Sequence, residues 1–239
     1  MLLKKEESPP KSPFILIGLT SFLAAIILFF QTWRTVEFGL QSGSSYLVFI
    51  FLFILIILSI SFKLQKLIAR KLGYDLNYRP NTNVMLISVL LGFVFKGYLF
   101  LLFLGDSHLE LKTHIRLGKF RPDIHVKDLA VISIVGPAFT MVLALIISAI
   151  NSAANNLFFH EAVKICLFFS LFMLMPCPNN LGLNIFLWNK KVHLAIIVAA
   201  LLFTVLLVPD FSVIIPLFLS LFIALFLGFI EYIPKIIYS

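Results

Sequence analysis

The residues able to do chemistry are few. His160, Glu161 and Lys164 form a His-Glu-x-x-Lys run. It is one letter from the His-Glu-x-x-His of zinc peptidases, where two histidines one turn apart hold the metal and the glutamate activates a water. Lys164 is a poor zinc ligand, so the run reads as a polar loop leading into a helix. His108, His114 and His125 share one polar stretch with Asp106, Glu110 and Asp123. A cation could sit there, although solvated strand and loop residues explain the pattern equally. Cys166 and Cys177 have neither Cys-x-x-Cys spacing nor a neighbouring histidine, so buried packing is their expected role. His193 follows Lys190 and Lys191 and is expected at a membrane interface. Ser61 lies near Gln65 but has no His or Lys base at useful spacing, because Lys63 points away on a helix. Asn179, Asn180 and Asn184 accompany a Pro-Cys-Pro break. They read as caps and interhelical hydrogen-bond groups, or as part of a groove in which an extended peptide pairs with free backbone.

The elements that position these residues are membrane helices. Of the 239 residues, 61% are hydrophobic and only 13% charged. Mean hydropathy is +1.06. A soluble domain is about half apolar and a quarter charged, so much of this surface must face lipid. The net charge of +8 could suggest nucleic acid. Its Lys and Arg residues, however, stand in short tracts between apolar runs, as the positive-inside rule requires. No nucleic-acid partner is expected.

The sequence predicts an all-α polytopic membrane protein with about six crossings, a re-entrant segment and a short interfacial strand pair. Residues 1–12 form a charged, Pro-rich cytoplasmic tail, and 13–239 form one membrane domain. Crossings are expected over 13–33, from 46 to a stop at Gly73, and over 129–150, 162–188, 194–208 and 212–232. Proline breaks the helix within 162–188. The run 84–104 is long enough to cross but carries Lys96 and Gly97 at its middle, and a charge at the bilayer centre costs about 2.5–3.5 kcal/mol on insertion scales. If this run dips in and returns, the basic stretches 63–83 and 105–128, Lys190, Lys191 and Lys235 all lie on the cytoplasmic side. The external loops 34–45, 151–161 and 209–211 then hold almost no cations. Both termini are then cytoplasmic, and short loops point to a prokaryotic cell membrane. Lys96 either snorkels from the bend or pairs with an acid such as Glu231. The stretch 108–120 alternates as a strand pair would.

Three segments then gain meaning from their order. Ala69 to Gly73 (ARKLG) closes a membrane helix. Val135 to Phe139 (VGPAF) stands early in a later one. Leu174 to Phe186 (LMPCPNNLGLNIF) straddles a helix break. Together they resemble the site-2 protease family of intramembrane zinc metalloproteases, over roughly residues 46 to 190. In that family a helix carries HExxH before an A-R-x-x-G-like ending, a later helix opens with GPxxN, and a third carries N-x-x-P-x-P-x-L-D-G. A re-entrant stretch lies between the first two. Counted back from Gly73, the family's first zinc His falls on Ser61, its catalytic Glu on Phe62 and its second His on Gln65. The GPxxN Asn falls on Thr140, and the zinc Asp on Leu181, while the following Gly is kept as Gly182. Zinc needs imidazole, thiolate or carboxylate ligands, and a hydrolytic water needs a base. The resemblance therefore implies a scaffold without the chemistry: no zinc, no catalytic residues, and Ser61, Phe62, Gln65 and Leu181 as vestigial positions. Gly136, Pro137, Thr140, Pro176, Pro178, Asn179, Asn180, Gly182 and Asn184 would line the old substrate groove.

The expected function is a catalytically inactive, site-2-protease-like membrane protein. It would bind transmembrane segments or partner proteins in a regulatory or assembly role. Two alternatives stand beside it: an active intramembrane metalloprotease with non-standard ligands, and a small transporter or channel. The spans hold few polar residues to line a path, and no inverted repeat is evident.

Overall fold

The computed structural model describes residues 13–33, 40–80, 82–102, 106–111, 125–154, 156–177 and 180–208, with 215, 217–219, 221 and 222. Seven helices and two strands follow in chain order: α1 (Pro13–Trp33), α2 (Leu40–Lys71), β1 (Tyr74–Arg79), α3 (Thr82–Val94), β2 (Asp106–Leu111), α4 (Val126–Ala154), α5 (Leu157–Leu174), α6 (Leu181–Trp188) and α7 (Lys190–Leu207). Among the described residues, α1, α2, α4, α5 and α7 are long and apolar enough to cross a membrane. They are the helices of an integral, multi-pass membrane protein. The crossing expected over 212–232 lies mostly outside the described residues.

Helix boundaries follow local chemistry. α2 has 32 residues, about 48 Å at 1.5 Å per residue. That exceeds a hydrocarbon core of about 30 Å, so the cationic last turns emerge from it. Gly73 follows with φ +87°, a left-handed conformation that ends helices and favours glycine. α4 runs on to Ala154 and α5 begins at Leu157. Asn156 caps α5 by accepting a hydrogen bond from the Phe158 amide. The connection expected over 151–161 is thus far shorter, and His160 and Glu161 are helical.

The inward face of α2 carries Ile50, Ile54, Ile57, Leu58, Ser61, Gln65 and Ala69, all buried. Its outward face exposes Val48, Leu52, Ile56 and Ile60. Ser61 and Gln65 thus point into the fold, while the outward face of the apolar run presents hydrocarbon, as lipid requires. α4 and α5 pack together, α2 lies against α1 and α4, and the short α6 is held against α4 and α7.

The two strands run antiparallel, from Tyr74 opposite Leu111 to Arg79 opposite Asp106. Arg79 and Asp106, the ends of the connection between the strands, therefore lie at one end of the same ribbon. α3 rises from it and ends in a turn at Lys96 (φ +48°) and Gly97 (φ +76°), and residues 100–102 return without helix. A β-carbon at Gly97 would strike the Phe30 carbonyl and the Gln31 backbone, so the tip is wedged against the last turns of α1. At the base, the Tyr78 hydroxyl donates to Thr20 at 3.3 Å. Burial, against a smaller opposing effect of that bond, pushes the Tyr78 phenol up to about 12, so it remains a donor. From Thr20 to Phe30 the hairpin climbs about 15 Å along α1. Lys96 is exposed at its tip, beside the far end of α1. The strand pair expected within 108–120 has a different partner: β2 pairs with β1, and residues 112–120 lie outside the described residues.

Candidate functional site

Ser61 and Gln65 lie one turn apart on α2, Gly136 on α4, and Leu181 at the first position of α6. All are buried. A β-carbon on Gly136 would come within 2.5 Å of Gln65 Nε2, 3.2 Å of Leu181 Cδ1 and 3.3 Å of Ser61 Oγ. Three elements distant in sequence thus converge on one side-chain-free spot. Glycine stands there because real side chains do not approach so closely. The positions that the family resemblance equates with two histidines and an aspartate are brought together. Phe62, equated with the catalytic glutamate, is not among the groups against Gly136. Its ring meets Tyr78 at 5.8 Å. Thr140 is buried one turn beyond Gly136, its hydroxyl donating to the Pro137 carbonyl at 2.9 Å.

The second focus is the break between α5 and α6. In an unbroken helix the Phe172 and Leu174 carbonyls would accept from residues 176 and 178. Both of these are prolines and have no N–H. The lost donors are replaced from elsewhere. Asn180 Nδ2 donates to the Phe172 carbonyl at 2.6 Å and to the Met175 carbonyl at 2.9 Å. His193, from the first turn of α7, reaches the Leu174 carbonyl with Nε2 at 2.8 Å. A carbonyl can only accept, so the ring proton sits on Nε2. Gly182 packs against that same carbonyl so closely that a β-carbon would collide with it. Asn180 Oδ1 is buried and has no hydrogen-bond partner among the described residues. Pro176 is half-buried, and Pro178 and Asn179 lie outside the described residues.

Hydrogen bonds tie α4 to both sides of the break. Asn184 Nδ2 donates to Ser133 Oγ at 3.0 Å. Ser170 Oγ donates to the Pro137 carbonyl at 3.3 Å. Ser133, Ser170 and His193 were not anticipated as site residues. The signal available for the serines was a lone hydroxyl inside an apolar run. His193, expected near a membrane interface, is 4% exposed and turned into the fold. Cys166 and Cys177 are both buried, and neither is in a disulfide among the described residues.

The other candidates lie apart from this site. Glu161 accepts from the Tyr46 hydroxyl at 3.0 Å and pairs with Lys164 at 3.0 Å. The His-Glu-x-x-Lys run is thus engaged in an ion pair near the start of α2. His108 falls in β2, His125 is exposed just before α4, and His114 lies outside the described residues. Among the described residues, no three His, Cys, Asp or Glu side chains cluster as a metal site would require.

Ser61, Gln65 and Leu181 offer a hydroxyl, an amide and a hydrocarbon. That set does not fit zinc, which takes imidazole, thiolate or carboxylate at about 2 Å. The arrangement is buried and can donate and accept hydrogen bonds, but Ser61, Gln65 and Leu181 hold no group to generate a hydroxide. Compared with known proteins, the chain matches no protein-family model, no curated protein and no solved structure.

Proposed function

We propose that this protein is a catalytically inactive relative of the site-2 proteases, seated in a cell membrane with its N-terminus and basic loops cytoplasmic. On this reading it binds a transmembrane segment of another protein where a protease would bind its substrate. The supporting observation is the convergence of Ser61, Gln65 and Leu181 on Gly136, three positions chosen by motif register and separated by up to 120 residues. The hairpin between α2 and α4 also agrees with the family's order of elements. The break beside α6 supplies the non-helical backbone that a bound segment could engage.

Two measurements test the reading. Purified protein, dialysed and analysed for metal, should carry far less than one zinc per chain; tightly held stoichiometric zinc would overturn the inactive reading. A photoreactive residue at Leu183, half-buried beside the break, should crosslink to discrete membrane proteins in cells. The same residue at Leu202, 59% exposed on α7, should crosslink mainly to lipid. Equal patterns at both positions would remove the argument for a groove.

A further inference from the structure

A groove of about 340 Å³ lies between the start of α1 and the end of α2, away from the Gly136 site. Its walls are Pro13, Phe14 and Ile17 on one side and Ser59, Phe62 and Leu67 on the other. Lys63, Lys66 and Arg70 stand along its α2 edge. The size falls in the usual range of ligand pockets, about 300–1,000 Å³. The cations follow i, i+3, i+7 spacing, which places them on one helix face over about 10 Å. The apolar run of α2 ends at Phe62, so these charges begin where hydrocarbon gives way to headgroups. Lys66 lies 3.8 Å from Asp75. Lys63 and Arg70 have no acidic partner among the described residues.

An apolar slot flanked at phosphate depth by Lys63 and Arg70, neither paired with an acid among the described residues, matches one kind of molecule. We propose that this groove binds an anionic glycerophospholipid, with an acyl chain against Phe14, Ile17 and Phe62 and its phosphate held by Lys63 and Arg70. A neutral lipid leaves the cations uncompensated, and a free anion leaves the apolar slot empty. Basic pockets between membrane helices on the cytoplasmic side are suited to such headgroups.

The test is native mass spectrometry of the full chain in detergent, titrated with phosphatidylglycerol or with phosphatidylcholine of the same chains. Phosphatidylglycerol should bind about tenfold more tightly. Lys63→Gln with Arg70→Gln should weaken it about 30-fold, two interfacial charges' worth. Lys190→Gln with Lys191→Gln, at the start of α7, should leave it unchanged. Ser59→Phe fills the slot with both cations in place and should also weaken binding. Equal binding of the two lipids overturns the proposal, as does equal loss in both double variants, which would mean diffuse charge. An unaffected Ser59→Phe variant, or displacement by glycerol phosphate as effective as by the lipid, would reduce the site to a phosphate patch. Tighter lipid binding after deletion of residues 2–11 would make the chain's own tail the occupant.

Discussion

Asn180 and His193 stand in for backbone donors that the prolines remove. His193 supplies the proton that residue 178 cannot. His193→Leu should leave the Leu174 carbonyl buried and unpaired, at a cost of about 1–3 kcal/mol, read as a lower unfolding midpoint in detergent. His193→Gln, whose amide can still donate, should recover part of that loss. At Gly136, alanine forces overpacking of about 1–3 kcal/mol. Because the nearest atom is the mobile end of Gln65, a Gln65→Ala background should relieve most of the penalty, and a double-mutant cycle reads the coupling. No such relief is available at Gly182, where the obstacle is backbone. The sequence made both glycines legible through the motifs around them. It showed that Pro176 and Pro178 remove two donors, but not which residues would replace them. His193 lies fifteen residues past Pro178 and beside two lysines, and only the fold of α7 back onto α5 reveals its role.

At the scale of elements, the long helices were legible because lipid demands runs of fixed length. α1 and α7 lie within a few residues of their expected positions, and α5, its break and α6 share the run 162–188. The partner of β2 was not legible, because alternation marks a strand without naming its neighbour. The register between α2 and α6 is open to direct test. Ser61→His, Gln65→His and Leu181→Asp together place three zinc ligands where the side chains already meet. A correctly folded triple variant should take up about one zinc per chain, which elemental analysis would detect. Failure to bind metal in a folded variant would show that the three positions do not share one centre.

For the whole molecule, the charge pattern and the strand pairing give one arrangement. In a Cys166→Ala, Cys177→Ala background, cysteines at Asp75 and His125 should react with an impermeant maleimide only from the cytoplasmic side. A cysteine at Ser152 should react only from the opposite side. Labelling of Asp75 and Ser152 positions from the same side would reverse the assignment of α4. The charge rule proposes this arrangement from sequence because loop cations are counted without coordinates, and the labelling tests it. The depth of Lys96 could not be read that way. A hairpin places it beside the far end of α1, whereas a straight span would have put it at the bilayer centre.

The seat of that hairpin also imposes an order on assembly. Its tip rests on the backbone of Phe30 and Gln31, in a helix made more than sixty residues earlier. Residues 100–102 return without helical hydrogen bonds and are buried, a state that bare hydrocarbon would penalise. On the re-entrant reading proposed above, the hairpin cannot mature as an independent insertion unit. It must wait until α1 stands in the membrane and offers a surface to receive it. A chain lacking α1 would be expected to thread 82–104 straight through and so invert everything synthesised after it.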